Sequence, residues 1–386
     1  MVKEIYFDNS ATTRPSPAVV DMMLRTLTED FGNPSAMHKK GMDAERYIRE
    51  ARKTVADTLK VSPGEIIFTS GGTESNNFAL IGTALANRRR GTRIVTTPIE
   101  HAAVSEPLKF LKKQGFTVET VPVDGRGLPD MDALRGLLTE DTILVSAMFV
   151  NNEIGTVLPV GEIGAMVKKM CPLALFHVDA IQAYGKFRID PRTLGIDLMS
   201  VSGHKLHGPK GSGFLYIRSG SHLVPVIYGG GQQDAMRSGT ENVPAIAGLG
   251  VAAGEAYEGF EEKREHLWRL REKLAAGLSG MDRVVIHGLP GREGAPHILN
   301  AAFPGVRSEV LLHALEDRGI YISAGSACST HKNTASSTLT AIGVPREELN
   351  SSVRFSFSID NTEEEVEETL RVLAEILPML RRYRAR

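Results

Sequence analysis

The chain has 386 residues, 42% hydrophobic and 24% charged, with a formal net charge of -1. That length exceeds one ordinary core and predicts two domains, and the near-zero charge gives no electrostatic ground for binding nucleic acid or an anionic membrane. Two cysteines, Cys171 and Cys328, exclude a disulfide framework and fit a reducing, cytoplasmic setting, as does the lack of an apolar leader or spanning segment.

The hydrophobic pattern alternates between helical and strand periods. Ala44, Tyr47, Ile48, Ala51, Val55 and Leu59 recur at helical spacing from Asp43 to Leu59. Ile66-Ile67-Phe68 reads as a short buried strand, and Ser70-Gly71-Gly72-Thr73-Glu74 turns it into a helix carrying Phe78, Leu80, Ile81 and Leu85. Further strands are predicted at Arg93 to Thr97, Val118 to Val121, Thr142 to Val150, Leu175 to Val178, Asp197 to Val201 and Gly213 to Ile217, mostly with helices between them. This alternation predicts an α/β fold whose mainly parallel sheet is covered by helices. Ligands of such sheets bind beyond the carboxyl ends of the strands. The character changes near Gly254, where a long charged helix, Glu255 to Leu278, leads into a second α/β region. The last helix is well punctuated. Thr362 and Glu365 have capping-box spacing, and Val366, Leu370, Leu373, Leu377 and Leu380 form its apolar stripe.

Four polar features fall at predicted strand ends or loops. Ser202-Gly203-His204-Lys205 presents a lysine on a Gly-rich turn. Such a lysine becomes a nucleophile when desolvated or set beside another cation, although the turn alone leaves a solvated loop lysine as the simpler reading. His204 and His207 lack a nearby Cys or carboxylate in sequence, so no metal site is expected. Gly71-Gly72-Thr73 opens a helix whose N–H groups suit a phosphate; an ordinary strand–helix connection accounts for it as well. Asp179 closes a strand, where it reads as a helix N-cap or as the partner of a protonated pyridine nitrogen. Cys328 lies among small residues, Ser323-Ala324-Gly325-Ser326-Ala327-Cys328-Ser329-Thr330, which suits an exposed loop, whereas Cys171 beside Pro172 reads as a buried hydrophobe.

Taken together these motifs resemble the NifS/IscS-type cysteine desulfurases, in the class V aminotransferase group of fold-type I pyridoxal phosphate enzymes. The resemblance runs from Tyr6-Phe7-Asp8-Asn9-Ser10-Ala11 to Ser352-Val353-Arg354-Phe355-Ser356. Between these lie Gly32-Asn33-Pro34-Ser35, Thr69-Ser70-Gly71-Gly72-Thr73-Glu74-Ser75-Asn76-Asn77, Glu100-His101 and Asn151-Asn152-Glu153. His177-Val178-Asp179-Ala180, Ser202-Gly203-His204-Lys205, Arg237-Ser238-Gly239-Thr240-Glu241-Asn242 and Gly325-Ser326-Ala327-Cys328 complete it.

The resemblance implies a seven-stranded, mainly parallel sheet in a large cofactor-binding domain over 16–254, and a smaller α/β domain formed by 1–15 with 255–386. It implies that Lys205 carries pyridoxal 5'-phosphate and moves the substrate α-proton. Asp179 then partners the pyridine nitrogen, Gln182 lies near the phenolic oxygen, and His101 stacks on the ring with an acid–base role. Gly72, Thr73, Ser202 and His204 hold the phosphate, helped by Thr240 of a second subunit, so a homodimer is implied. Asn152 lies near cofactor and substrate, and Arg354 with Asn33 holds the substrate carboxylate. The implied reaction converts L-cysteine to L-alanine and leaves a persulfide on Cys328 for a protein acceptor, such as an iron–sulfur scaffold or a tRNA-thiolation enzyme. A selenocysteine lyase, a cysteine sulfinate desulfinase or a related aminotransferase is the alternative. Housekeeping IscS-type members carry a C-terminal tail that helps bind the scaffold; here the chain stops soon after Leu380, which tells against docking through such a tail.

Overall fold

Short runs rich in β-branched and aromatic residues pair into three sheets in the computed structural model, which describes residues 4–324 and 336–383. The strands are β1 (Ile5–Tyr6), β2 (Ile66–Thr69), β3 (Arg93–Thr96), β4 (Thr117–Thr120), β5 (Thr142–Met148), β6 (Leu175–Asp179) and β7 (Leu198–Ser202). They continue as β8 (Gly213–Ile217), β9 (Val285–His287), β10 (Ile298–Ala302), β11 (Ile320–Tyr321), β12 (Ser323–Ala324) and β13 (Ser352–Ser356). The large sheet has seven strands in the order β2-β8-β7-β6-β5-β3-β4. Its five strands from β7 to β4 run parallel, and β8 is antiparallel to both neighbours. β5, β6 and β7 are almost wholly buried, as expected when helices cover both faces.

Register sets the working edge of this sheet. Asp179, the last residue of β6, lies opposite Met148 on β5 and Ser200 on β7. Ser202, the last of β7, faces Gly213, which in turn faces Thr69 at the end of β2. The carboxyl ends of β2, β6 and β7 therefore converge. From there Gly72–Asn77 continues through a π-helical turn, Phe78–Gly82, into Thr83–Asn87, forming one helical run.

A second, antiparallel sheet, β12-β13-β10-β9, and the parallel pair β1-β11 pack on a separate apolar core that includes Phe7, Leu270, Phe303, Phe355 and Leu373. The expected helix from Glu255 to Leu278 is in fact two. Val243–Tyr257 packs on Pro17–Thr28 and Lys39–Leu59, whereas Phe260–Ser279 packs on the C-terminal helix Glu363–Tyr383. The break falls at Gly259, whose φ of 58° is the left-handed conformation that glycine adopts without penalty. The capping box of the last helix is formed. The Thr362 N–H donates to Glu365 Oε2 at 3.2 Å, and the Glu365 N–H donates to Thr362 Oγ1 at 3.3 Å. Among the described residues, no helix is long and apolar enough to cross a membrane.

Candidate active site

Lys205 stands on a 3-10 turn, Gly203–Lys205, directly after β7. The residues that fix it come from the far end of the sequence. Its Nζ donates to the main-chain oxygens of Ser10 at 2.5 Å and Ala11 at 2.7 Å, and Gln182 Nε2 donates to the same Ser10 oxygen at 3.1 Å. Thr13 Oγ1 donates to the His204 carbonyl and accepts from the His207 N–H. Residues 8–13 thus form a strap across the lysine turn. The strap is tied down in turn by Asn9 Nδ2, which donates to the Ser356 carbonyl and to Asn361 Oδ1.

Asp179 is 4% exposed, a depth at which a carboxylate needs donors or a cation. Asn76 Nδ2 donates to its Oδ2 at 2.8 Å and the Ile181 N–H to its Oδ1 at 3.0 Å. Burial pushes its pKa up, against the pull of these donors and of His101 and Lys205. A carboxylate still raised after two hydrogen bonds accommodates one more cation, and a protonated pyridine nitrogen is such a cation.

His101 caps the helix Ala102–Lys113, its Nδ1 accepting the Ala103 N–H at 3.0 Å. Burial lowers its pKa, with Asp179 opposing and Lys205 and Arg354 assisting. The ring is therefore held neutral with its proton on Nε2. Burial and the surrounding lysines likewise pull His204 down to about 4. Its Nδ1 lies 3.2 Å from Thr12 Oγ1, and a hydroxyl donating there leaves Nε2–H to serve an anion.

Gly71 and Gly72 press against Ser202. Gly71 has a φ of 148°, and a Cβ on it would lie 3.6 Å from Ser202 Oγ. A Cβ on Gly72 would lie 2.1 Å from Ile181 Cδ1. These glycines admit a close approach between the first N–H groups of the helical run, Ser202 and an incoming phosphate, so the donor set fits pyridoxal phosphate. Next to it, Arg237 grips Glu74 through Nε at 2.8 Å and Nη2 at 3.1 Å. Burial raises the Glu74 pKa, but the Arg237 fork and Ser70 outweigh it and hold the carboxyl below its usual range. This pair anchors the loop that carries Thr240.

Arg354, on β13, is 6% exposed. Its Nη1 donates to the Asn152 carbonyl at 2.7 Å and its Nη2 to Asp8 Oδ1 at 2.8 Å. Its buried Nε has no partner. It lines a cavity of about 110 Å³ with Glu100, His101, Asn152, Glu153, Asn300 and Ser323.

The structure thus gathers Lys205, Asp179, His101, Gln182, Ser202, His204, Asn152 and Arg354 around one edge. It leaves Asn33, Thr73 and Thr240 exposed on the single protomer, Asn33 outside the Arg354 cavity. Cys328 lies outside the described residues. Cys171 is buried, and its Sγ donates to the Thr139 carbonyl at 3.2 Å. Three residues of the site have no role in the sequence reading. Asn76 braces Asp179, Asp8 pairs with Arg354, and Glu100 is a buried acid at 6% exposure. Glu100 Oε1 accepts from Thr97 Oγ1 at 2.6 Å and the Met148 N–H at 2.9 Å, while Oε2 is buried and unpartnered. Burial drives Glu100 up to about 8, so it is protonated at neutral pH. Each was visible only as a polar letter within a quoted motif.

The model of the family described as Aminotransferase class-V matches residues 5–369. A protein named cysteine desulfurase IscS from Methanosarcina thermophila is 45% identical over 379 residues, 98% of this chain and 93% of its own. A solved structure titled NifS-like protein superposes with a TM-score of 0.93 at 42% identity, covering 98% of this chain and 100% of the other. A structure titled SspA in complex with cysteine does so with a TM-score of 0.81 at 34% identity, covering 93% of this chain and 100% of the other. The chain therefore belongs to the class V aminotransferase family, among its pyridoxal phosphate-dependent cysteine desulfurases.

Proposed function

We propose that this edge converts L-cysteine to L-alanine and passes the sulfur to Cys328. The observation that carries the reading is Asp179, buried and braced yet still short of positive charge, within electrostatic reach of Lys205 and His101. Pyridoxal phosphate supplies, when bound, a ring that accepts the electron pair left by α-proton removal. The protein's own groups do the rest. Asp179 would keep the ring nitrogen protonated, and Gln182 would serve the phenolic oxygen. Ser202, His204, Gly72 and Thr73 would hold the phosphate. Lys205 would carry the cofactor and move the α-proton. Neutral His101 would offer its Nε2–H beside them. Arg354 takes the substrate carboxylate with Asn152 beside it, its fork already oriented by Asp8. The Cys328 thiolate attacks the substrate sulfur, so an S–S bond forms as the C–S bond breaks, and reprotonation releases alanine.

We further infer a cytoplasmic homodimer in which Thr240 and Asn33 complete the partner's site. Val20, Leu24 and Leu27 expose an apolar face of the helix Pro17–Thr28, beside exposed Phe31, Met37 and Met42, a surface that calls for a partner. Residues 16–254 form the cofactor-binding unit, and 1–15 with 255–386 form the unit that carries Cys328. The Cys328 persulfide serves an acceptor protein of iron–sulfur assembly or of tRNA or cofactor thiolation.

The test compares sulfide and alanine release by wild type and Cys328→Ala, alongside the visible spectrum of Lys205→Ala. Sulfide release is expected to vanish in the first variant and the cofactor band to change in the second. Undiminished sulfide release from Cys328→Ala would sink the persulfide route.

A further inference from the structure

A cavity of about 480 Å³ adjoins the Lys205 turn, between the N-terminal strap, the helices Val243–Tyr257 and Phe260–Ser279, and the segment Phe357–Asp360. Its wall is mainly apolar, with Leu206, Ala252, Ala256, Phe260, Leu267 and Phe357 on it. Three polar groups in that wall lack suitable partners. Lys186 Nζ donates to the main-chain oxygen of Lys205, and no carboxylate of the described residues lies within ion-pair distance of it. Arg264 is a rim cation, its side chain 40% exposed, with a buried, unpartnered Nε and its nearest carboxylate contact from Nη1 to Glu261 at 3.9 Å. His297 is 2% exposed with both ring nitrogens unpartnered. The acids of the wall face other groups. Glu255 accepts the Ser16 hydroxyl at 2.6 Å, Asp360 lies 3.7 Å from His207, and Glu258 is exposed. A cation set in a largely apolar wall, even a half-buried one, is favoured by a counter-charge or a hydrogen-bonded anion. Burial, joined by the Lys205 charge when that amine is free of cofactor, pulls Lys186 down to about 7.

We propose that this cavity binds a small amphipathic carboxylate, with its apolar body against Ala256, Phe260 and Leu267 and its carboxylate on Lys186 and Arg264. The site is separate from the substrate's carboxylate position at Arg354. It shares Gln182 with the cofactor edge, and Lys186 holds the main chain of Lys205. Occupancy therefore acts on the catalytic turn and changes the desulfuration rate without competing with cysteine.

The probes are 4-fluorophenylacetate and its neutral amide, titrated into the holoenzyme by fluorine NMR. Each titration is run without and with saturating L-alanine, the reaction product, which takes the Arg354 position. The acid is expected to bind at least about tenfold more tightly than the amide, the difference of one charge-assisted contact. Lys186→Met is expected to abolish the preference. Arg264→Gln and Ala256→Leu, which change one rim cation and one wall residue, are each expected to weaken the acid severalfold. These two carry the test should Lys186→Met fail to fold. Equal binding of acid and amide, displacement of the acid by L-alanine, no binding up to about 10 mM, or wild-type affinity in both Arg264→Gln and Ala256→Leu would each overturn the proposal.

Discussion

Replacing Glu100 by Gln isolates the electrostatic cost of the site. Its carboxyl titrates near 8 in the folded protein against 4.5 in its ordinary setting. Between those values the native state holds a proton that the unfolded chain has released, so stability falls as pH rises. The loss is absent below about 4.5 and complete above about 8. Each unit is worth about 1.4 kcal/mol, so moving from about pH 6 to about pH 8 costs wild type roughly 3 kcal/mol from this one group. A glutamine preserves the shape, and its amide oxygen still accepts from Thr97 and Met148, but it does not titrate. Thermal unfolding of the two holoenzymes across that range measures the effect. The wild-type midpoint is expected to fall by several degrees relative to Glu100→Gln. Midpoints that move in parallel would show that Glu100 is already ionised in the folded state and refute the reasoning.

Asn76→Ala removes the 2.8 Å donor to Asp179 Oδ2. A buried hydrogen bond to a carboxylate is worth about 2 kcal/mol, so cofactor affinity should fall roughly 30-fold, read from the absorbance retained on dialysis. Gly213→Ala would put a Cβ 2.5 Å from the Val201 carbonyl and 2.7 Å from Gly71 Cα, both backbone. Overpacking of this kind costs about 1–3 kcal/mol. The thermal midpoint and cofactor retention should both drop, since β8 must shift against the phosphate turn; if neither changes, the close packing of that turn is not what holds it.

The strands of the seven-stranded sheet were legible because each is a short apolar run with turn residues at its ends, and their predicted limits fall within two residues of those formed, whereas the strands of the two smaller sheets were not singled out. The capping box at Thr362 and Glu365 was legible for the same local reason. The break at Gly259 was not, because charged helical periodicity runs through it and only the backbone angle reveals it. Lys205 is the instructive residue of the site. Its neighbours in sequence suggest a solvated loop lysine, and the groups that fix it, Ser10 and Ala11, are nearly two hundred residues away. Asp8 with Arg354, and the protonated Glu100, were hidden for the same reason, since spacing along the chain carries no information about burial or distant partners. Asn33 and Thr240 rest on the resemblance alone, as both are exposed on one protomer.

The strap over Lys205 also bears on the order in which the enzyme can be made. Residues 5–13 leave the ribosome long before their partners, since β1 pairs with β11, Asp8 meets Arg354 and Asn9 is held by Ser356 and Asn361, all more than three hundred residues later. A nascent chain that has completed the seven-stranded sheet still has no fixed lid of carbonyls over its lysine. Contacts this distant in sequence form late and slowly. Seating of the Lys205 amine is therefore coupled to synthesis of β13 and the Ser356–Asn361 segment, and a chain stalled before β13 has its large sheet in order but its lysine unanchored.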